Sequence, residues 1–337
     1  MKAVAYFQNF PIDHAESLLD VTLPEPTPGE HDLLVEVKAV SVNPVDYKIR
    51  AGVAPAAGEA KVIGWDATGV VRAVGAKASR FKVGDRVWYA GALNRAGSNS
   101  ELQVVDERLV GHMPTTLDFA QAAALPLTAI TAWELLFDRL QVLDNDAASG
   151  KCILIVGAAG GVGSILVQLA RQLTGLTVIG TASRSETQAW VKELGAHHVI
   201  DHTQPLAQEL QRIGLPSVDY IAGLNQTDRH YDQMVEAIAP QGKIALIDDI
   251  EPIDVRKLKR KSVSLHWELM FTRSLYSTAD MVRQHELLNR VAELVDAGTL
   301  RTTVAAHFGT INAANLKRAH ALLESNTAKG KIVLEGF

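Results

Sequence analysis

Hydrophobic and polar residues follow two different patterns along this chain, and the pattern changes near residue 117. Before it, short β-branched or alternating runs such as 33–37, 70–74 and 86–89 are separated by Gly and Pro. This pattern is typical of strands in an irregular, largely antiparallel sheet. The first third of the chain therefore predicts a small β domain with little helix.

The second pattern predicts an alternation of strands and helices. Asp118 is a good helix cap, and helical runs follow from 119 and over 131–140. Such alternation then predicts βαβ units and a parallel sheet. The expected elements, in chain order, are strand 152–156, helix 162–173, strand 177–181, helix 186–194, strands 198–200 and 218–222, helix 231–238 and strand 243–247.

Residues 262–270 alternate strictly between polar and apolar, which suits a terminal strand of that sheet. An apolar edge strand exposes unpaired backbone groups, and pairing with a second copy would cover them. We therefore expect a homodimer through this strand. A helix over 279–297 and the stretches 320–323 and 331–334 are expected to return to the β domain.

Composition narrows the function. A net charge of −5 gives no general attraction to nucleic acid or anionic lipid, and no run of about 18 apolar residues predicts a membrane span. Cys152 is the only cysteine, so an internal disulfide and a metal site with several thiolates are excluded. The N-terminus lacks the apolar core of a signal peptide and resembles a strand. A cytoplasmic protein acting on small molecules is the expectation.

The strongest motif is a small-residue turn between an apolar strand and an amphipathic helix. Ala159, Gly160, Gly161 and Val162 form it, and Gly163 follows. Such a turn lets a dinucleotide pyrophosphate approach backbone N–H groups at the positive end of a helix. The alternative is a tight turn with no ligand, which the surrounding βαβ pattern disfavours.

The next strand end indicates which dinucleotide binds. An NAD site would place Asp or Glu there, but the chain has Ser183 and Arg184. A hydroxyl and a guanidinium suit a 2′-phosphate, so NADPH is the expected cofactor. The alternative is that Arg184 is a solvated residue and that either dinucleotide is accepted.

The chain resembles the medium-chain dehydrogenase/reductase superfamily over nearly its whole length, and most closely its quinone oxidoreductase branch. The matching motifs are Asn-Pro-Val-Asp-Tyr at 43–47, Gly-Trp-Asp-Ala-Thr-Gly-Val at 64–70, Val-Gly-Asp-Arg-Val at 83–87, Leu-Pro-Leu-Thr-Ala-Ile-Thr-Ala at 125–132, Ala-Ala-Gly-Gly-Val-Gly at 158–163 and Gly-Lys-Ile-Val-Leu at 330–334. Residues 265–274 also resemble members labelled zinc-type alcohol dehydrogenase-like.

The resemblance implies an α/β fold in which a GroES-like β-barrel catalytic domain accompanies a Rossmann domain with a doubly wound parallel sheet. The catalytic domain would comprise 1–122 and 275–337, and the nucleotide-binding domain 123–274. Where the zinc members of the superfamily have their metal ligands, this chain has Asn43, Trp65 and Leu127, with Asp66 in place of a Glu. We therefore expect no catalytic metal.

Without a Lewis acid, reduction of a conjugated acceptor is easier than oxidation of an alcohol. The expected substrate is a quinone or an α,β-unsaturated carbonyl compound. Asn43 and Tyr47 are expected beside nicotinamide and substrate, with Tyr47 donating a hydrogen bond or proton to the developing oxyanion. The alternative is that Tyr47 packs structurally and solvent supplies the proton.

Weaker assignments complete the predicted cofactor site. Thr128 and Thr131 resemble residues that contact the nicotinamide ribose or carboxamide. Asn225 and Ile247 end sheet strands, where ligands of open α/β sheets bind. Lys331 is expected to reach the cofactor from the C-terminal segment.

Other functions stay open. They are an alcohol or aldehyde dehydrogenase, an enoyl-thioester reductase, and a noncatalytic NADPH-binding or RNA-binding protein. The RNA alternative depends on the basic run 256–261, which contains no aromatic residue and precedes the edge strand. A solvated loop is the favoured interpretation of that run, so nucleic acid is not expected as a partner.

Overall fold

The computed structural model describes residues 1–142 and 150–337, which divide into two compact units. Unit 1 comprises Met1–Ile130 and Phe271–Phe337, and unit 2 comprises Thr131–Met270. The expected domain junctions are after residues 122 and 274, whereas these units divide after residues 130 and 270. Each unit has its own sheet architecture.

Unit 1 is built on two sheets whose strand pairs are antiparallel except for one. The small sheet has the order β2-β1-β4, and the large sheet has the order β15-β16-β3-β5-β6-β8, with β7 also pairing β3. The pair β15 and β16 is parallel. The strands are β1 Lys2–Tyr6, β2 Leu19–Thr22, β3 Asp32–Ser41, β4 Lys61–Val62, β5 Ala67–Val74, β6 Arg86–Tyr89, β7 Leu102–Asp106, β8 Val110–His112, β15 Val304–His307 and β16 Lys331–Glu335.

Helices of unit 1 vary in length from four to fourteen residues. They are α1 Pro44–Gly52, α2 Phe119–Ala123, α8 Thr272–Leu275, α9 Arg283–Asp296 and α10 Ala313–Glu324, and α3 Pro126–Trp133 begins in this unit. Alanines let α2 lie close to the large sheet, where Ala120 and Ala123 pack with Ala39 and Val333. Asp118 caps α2 as expected, because its side chain accepts from the N–H of Gln121 at 2.7 Å.

Unit 2 contains one fully parallel sheet of six strands. Its order is β11-β10-β9-β12-β13-β14, with strands β9 Cys152–Val156, β10 Thr177–Thr181, β11 His198–Ile200, β12 Val218–Gly223, β13 Ile238–Leu246 and β14 Ser264–Trp267. The helices are α4 Gly161–Leu173, α5 Ser185–Glu193, α6 Leu206–Arg212 and α7 Thr227–Ala237. The βαβ prediction is confirmed. The bounds of β9, β10 and β11 agree residue for residue, because their apolar runs are short and flanked by polar residues.

Two expectations differ in detail. The helix expected over 131–140 is the end of α3 followed by a π-helical segment, Glu134–Arg139. The edge strand expected over 262–270 is only Ser264–Trp267, preceded by a 3-10 helix, Val255–Lys261, and followed by the short helix α8. Alternation extends past both ends of β14, but strand pairing with β13 does not.

One helical stretch in the described part of the chain, Phe119–Arg139, is long and apolar enough to cross a membrane. Of its most apolar window, 83% is buried in the protein, as in the core helix of a soluble protein. Its apolar character is therefore accounted for by the interior of the fold.

Candidate functional site

The predicted cofactor residues of unit 2 lie along one edge of its sheet. Residues 159–162 follow β9, Ser183 and Arg184 follow β10, Asn225 follows β12 and Ile247 follows β13. Since all six strands are parallel, these carboxyl ends share an edge. The chain proceeds outward from β9 to β11 and then resumes on its other side at β12, so a topological switch point lies beside β9, where ligands of such sheets bind.

Two glycines of the turn after β9 have different roles. A Cβ on Gly163 would lie 2.5 Å from the carbonyl oxygen of Gly157 and 2.6 Å from the Cα of Ala158, so any other residue would require the backbone to shift. A Cβ on Gly160 would meet nothing nearer than 3.5 Å. Gly163 therefore lets α4 pack against the turn, whereas Gly160 leaves space above it.

Helix α4 begins at Gly161 beside that space, and no side chain caps it. The first N–H groups of a helix have no partner within the helix, and they carry its positive end. Gly157, at φ +87°, turns the chain and donates its N–H to the Thr181 hydroxyl at 3.1 Å. The turn has the small residues and the N–H groups that a pyrophosphate needs, so the residues present fit a dinucleotide.

Ser183 and Arg184 are exposed at the end of β10. The Arg184 guanidinium lies 3.7 Å from the Glu186 carboxylate, and its side chain is 46% exposed. An ion pair this open adds little stability and leaves the guanidinium accessible to an anion. Their role at a 2′-phosphate stays a prediction.

The remaining residues assigned to the cofactor differ in their exposure to solvent. Thr128 is buried in unit 1 and its hydroxyl donates to the carbonyl of Leu125 at 3.1 Å. Thr131 is buried in unit 2. Asn225 is exposed, and the N–H of Ile247 donates to the carbonyl of Gly223 at 3.3 Å. These assignments stay predictions.

In unit 1, Asn43, Asp66 and Lys331 form a buried polar cluster, hereafter the Lys331 cluster. None of the three is more than 3% exposed. The Lys331 ammonium donates to Asp66 Oδ2 at 2.9 Å, to Asn43 Oδ1 at 2.5 Å and to the carbonyl of Val42 at 2.9 Å. Lys331 is thus placed with Asn43 and Asp66, and all three ammonium protons have acceptors within unit 1.

Asn43 is equally occupied. Its amide nitrogen donates to Asp66 Oδ2 at 2.8 Å and to the carbonyl of Trp65 at 3.2 Å. An Asn side chain has two N–H groups, so both are directed at acceptors within unit 1. The assignment of Asn43 as a catalytic residue stays a prediction, and this geometry favours a positioning role.

Burial raises the pKa of Asp66, while Lys331, Asn43 and the backbone N–H of Leu127 oppose the shift. The Leu127 N–H reaches Asp66 Oδ1 at 2.8 Å, so every contact to this carboxyl is a donor. A carboxylate that accepts from an ammonium and two amides is best satisfied when ionised. Asp66 and Lys331 therefore form a buried ion pair.

Asp46 lies beside this cluster and was missed as a member of it. Asn43 holds the cap position of α1, and Asp46 is the third helical residue. Asp46 Oδ2 accepts from the backbone N–H of Asn43 at 2.9 Å, and its buried Oδ1 has no hydrogen-bond partner. Burial raises the pKa of Asp46 to about 7, with a further rise from Asp66, against the lowering effects of Asn43 and Lys331.

The residues of this region do not fit a zinc ion. The Trp65 indole N–H donates to the carbonyl of Ala92 at 3.1 Å, and an indole and a Leu side chain are not metal ligands. Asp66 is already paired with an ammonium. Among residues 1–142 and 150–337, no group of three or more His, Cys, Asp or Glu side chains is arranged to hold a metal.

Tyr47 lies in the first turn of α1, next to Asp46, and is partly exposed. It therefore lies close to the cluster along the chain and is accessible from the surface. Its role as a proton donor stays a prediction.

The basic run is largely committed to contacts within unit 2. Arg256 pairs with Asp254 and Lys257 with Asp232, while the Lys261 ammonium donates to three carbonyls, those of Val235, Glu236 and Ile238. Only some of its charges are left to attract nucleic acid.

Two family models match the chain. "Alcohol dehydrogenase GroES-like domain" matches residues 29–122, and "Zinc-binding dehydrogenase" matches residues 194–334. Among curated proteins, a zinc-type alcohol dehydrogenase-like protein from Staphylococcus aureus is 39% identical over 336 residues, covering 99% of both chains. A quinone oxidoreductase from Pseudomonas aeruginosa is 31% identical over 314 residues, covering 91% of this chain and 92% of its own.

Solved structures give the same picture. A Rhizobium etli protein, described as a candidate zinc-dependent alcohol dehydrogenase, is 57% identical with a TM-score of 0.96, covering 100% of this chain and 98% of its own. A mycobacterial protein solved with NADPH is 27% identical with a TM-score of 0.85, covering 99% of this chain and 100% of its own. The expected combination of a GroES-like domain with a Rossmann-type parallel sheet is confirmed.

Proposed function

This chain belongs to the medium-chain dehydrogenase/reductase superfamily and is an oxidoreductase related to the zinc-type alcohol dehydrogenase-like proteins, and we propose that it is an NADPH-dependent reductase of quinones or α,β-unsaturated carbonyl compounds that needs no catalytic metal. The observation that carries the proposal is the Lys331 cluster. The ammonium of Lys331 compensates the negative charge of Asp66. The other side chains of this buried region, those of Asn43, Trp65 and Leu127, do not form a zinc site.

The chemistry of those side chains favours reduction over alcohol oxidation. Oxidising an alcohol requires a group that lowers the pKa of the hydroxyl or stabilises an alkoxide, which a bound metal does well. A quinone or enone accepts a hydride directly, and the resulting negative charge needs only hydrogen bonds and a proton. The relative named as a quinone oxidoreductase supports the same substrate class.

Unit 2 binds the dinucleotide in this proposal. When bound, the cofactor supplies hydride from C4 of its nicotinamide. The N–H groups at the start of α4 bind the pyrophosphate, and Gly160 leaves the space that it needs. Ser183 and Arg184 bind the 2′-phosphate, which makes NADPH the preferred form, in line with the NADPH complex of the mycobacterial relative.

Unit 1 supplies the groups that act on the substrate. Tyr47 donates a hydrogen bond or proton to the substrate oxygen that gains negative charge. Asn43 does not donate to the substrate in this proposal, because its amide protons are used within the Lys331 cluster. Its role is to hold the start of α1.

Assaying a panel of quinones, enones, aldehydes and alcohols by NADPH absorbance, together with elemental analysis of the purified protein, tests the proposal. We expect oxidation of NADPH with quinones or enones and less than stoichiometric zinc. Turnover of alcohols with stoichiometric zinc would establish the dehydrogenase alternative instead. NADPH binding without turnover of any compound in the panel would favour a noncatalytic protein.

Gly160→Ala tests the cofactor site separately from the fold. Its Cβ has room within the chain, so the free energy of unfolding should stay within about 0.5 kcal/mol of wild type. A bound pyrophosphate would be displaced, so NADPH affinity measured by titration calorimetry should fall about tenfold or more. Unchanged affinity would exclude this turn as the phosphate site.

We also propose a homodimer through β14. This strand is at the edge of the sheet of unit 2. Its last residue, Trp267, is 53% exposed, and Leu269, two residues further on, is 50% exposed. Large apolar side chains beside an unpaired strand edge favour pairing with a second copy. Light scattering should give twice the chain mass of 36.4 kDa, and a mass of one chain would refute the dimer.

A further inference from the structure

Lys331 is held by strand pairing next to the start of α1, although 288 positions separate it from Asn43. It is the first residue of β16, which pairs antiparallel with the end of β3 through Val333 and Ser41. The backbone of Ile332 accepts from the Val42 N–H at 3.1 Å and from the Ser41 hydroxyl at 2.9 Å. These contacts bring the lysine to the junction between β3 and α1.

The ammonium decides which way the Asn43 side chain faces. A donor at its oxygen and acceptors at its nitrogen allow only one orientation of the amide. Without Lys331, the oxygen loses its donor and Asp66 loses its counter-charge. The orientation of Asn43 would then depend only on the acceptors at its nitrogen and would be held less tightly.

Asn43 passes this constraint to the first turn of α1. Its carbonyl accepts from the N–H of Asp46 at 3.0 Å, and its own N–H donates to the Asp46 carboxyl at 2.9 Å. Pro44, the first residue of the helix, restricts the backbone further. Tyr47 follows Asp46 directly, so its backbone position depends on the same contacts.

We propose that Lys331 is a positioning residue that acts through Asn43 to hold Tyr47 in place, and not a residue that binds the cofactor. The inference rests on the proposed function, because the role of Tyr47 belongs to that function. No proton or electron passes through Lys331. Its ammonium keeps the first turn of α1 in the geometry that proton donation by Tyr47 requires.

The test compares Lys331→Met with Tyr47→Phe and with the double variant in steady-state reduction of a good enone. Loss of positioning should lower the kcat of Lys331→Met about 10- to 100-fold, with the KM for NADPH within about twofold of wild type. In the Tyr47→Phe background the same change should alter kcat by no more than about twofold, since its target is already removed. Independent, multiplying effects would overturn the proposal, as would a rise in the KM for NADPH with unchanged kcat.

Lys261→Met is the matched control. Its ammonium also donates three hydrogen bonds, but all go to carbonyls at the end of α7 in unit 2. We expect wild-type kcat and KM. A loss of kcat as large as that of Lys331→Met would show that any lost ammonium has this effect, and it would overturn the proposal.

Lys331→Met leaves Asp66 buried without its partner and can unfold the protein. Lys331→Met combined with Asp66→Asn removes both charges, so a folded protein is expected, yet Asn43 still lacks the ammonium that orients it. Its kcat should stay low, and the more conservative Lys331→Arg, which keeps the charge, should recover part of the activity. Wild-type kcat in the combined variant would refute positioning.

Hydrogen–deuterium exchange separates failure of this inference from failure of the proposed function. The amides of α1 should exchange faster in the combined variant than in wild type, while those of α4 should not change. Full turnover by Tyr47→Phe would reject Tyr47 as the proton donor, and no turnover by wild type would reject the proposed function. Unchanged exchange in α1 would reject the positioning role by itself.

Discussion

Unit 1 and unit 2 both contain polar groups assigned to function, but those of the Lys331 cluster are buried in unit 1, whereas Ser183 and Arg184 are exposed to solvent in unit 2. In the Lys331 cluster of unit 1 the charges are buried and satisfy one another. Along the sheet edge of unit 2, small residues and an open guanidinium face the surface. A buried charge is stable only with a partner inside the protein, whereas a group that binds a ligand must remain accessible.

The architecture of each unit explains this difference. The carboxyl ends of parallel strands all face one edge, where turns lead into helices whose first N–H groups lack internal partners. In unit 1, antiparallel pairing brings β16 against β3 and closes the space around Asn43. We therefore expect substitutions in unit 1 to affect stability most, and substitutions at the edge of unit 2 to affect binding.

The largest effect is expected from Asp66→Ala. It removes the acceptor for Lys331, Asn43 and the Leu127 N–H, and it leaves an ammonium buried without its counter-charge. Breaking a buried pair in this way costs about 3–5 kcal/mol of unfolding free energy. Urea unfolding at pH 7 measures it. Glu186→Ala, which breaks the exposed pair with Arg184, is the control and should cost less than about 1 kcal/mol.

Gly163→Ala tests whether the sheet edge of unit 2 also contains a tightly packed position that tolerates no Cβ. The new Cβ would overlap the backbone of Gly157 and Ala158, so an overpacking cost of about 1–3 kcal/mol is expected. The same urea experiment measures it. A cost below that of Gly160→Ala would contradict the assignment of Gly163 to helix packing.

His320 provides a buried polar group without partners in unit 1. Both ring nitrogens lack hydrogen bonds, and burial, aided by Arg50, lowers its pKa to about 3. Because its pKa in the unfolded chain is near 6.5, the unfolded state binds more protons between these values. The contribution of His320 to stability should therefore be complete above pH 7 and fall below about pH 6.5, by at most about 1.4 kcal/mol per pH unit. Asp46, whose raised pKa makes the folded state bind more protons, acts in the opposite direction over this range.

Urea midpoints between pH 7.5 and 5 measure this slope. His320→Leu removes the titrating ring, so its unfolding free energy should fall less on acidification than that of wild type, while His31→Leu, at an exposed position of the same unit, should behave like wild type. An unchanged slope in His320→Leu would assign the acid sensitivity to other groups.

The smallest effect on stability is expected from Arg184→Ala, within about 0.5 kcal/mol, since the side chain is exposed. Its effect on the preference for NADPH over NADH should be large. The ratio of the KM for NADH to that for NADPH should fall about tenfold, because a guanidinium contact to the 2′-phosphate is lost. An unchanged ratio would remove Arg184 from the cofactor site and leave Ser183 to account for any preference.

The order of elements in unit 2 could be read directly from the chain. The strands β9, β10 and β11 have the predicted bounds, and the turn at 159–162 with Arg184 at the next strand end is a local pattern. Helix and strand periods depend on neighbouring residues, so a single sequence contains them. Edge strand β14 is shorter than its alternation suggests, because pairing with β13 and not periodicity limits it.

Only the tertiary structure decided what surrounds Asn43, Asp66 and Lys331. Their residue types were visible, but the pairing of β16 with β3 joins segments nearly 300 residues apart, and no local pattern encodes it. The partners of the basic run and the burial of His320 were hidden for the same reason. The sequence by itself determined the fold class and the small-residue turn between β9 and α4, because both follow from short-range geometry. The electrostatics of unit 1 depend on long-range contacts, which exist only once the chain has folded.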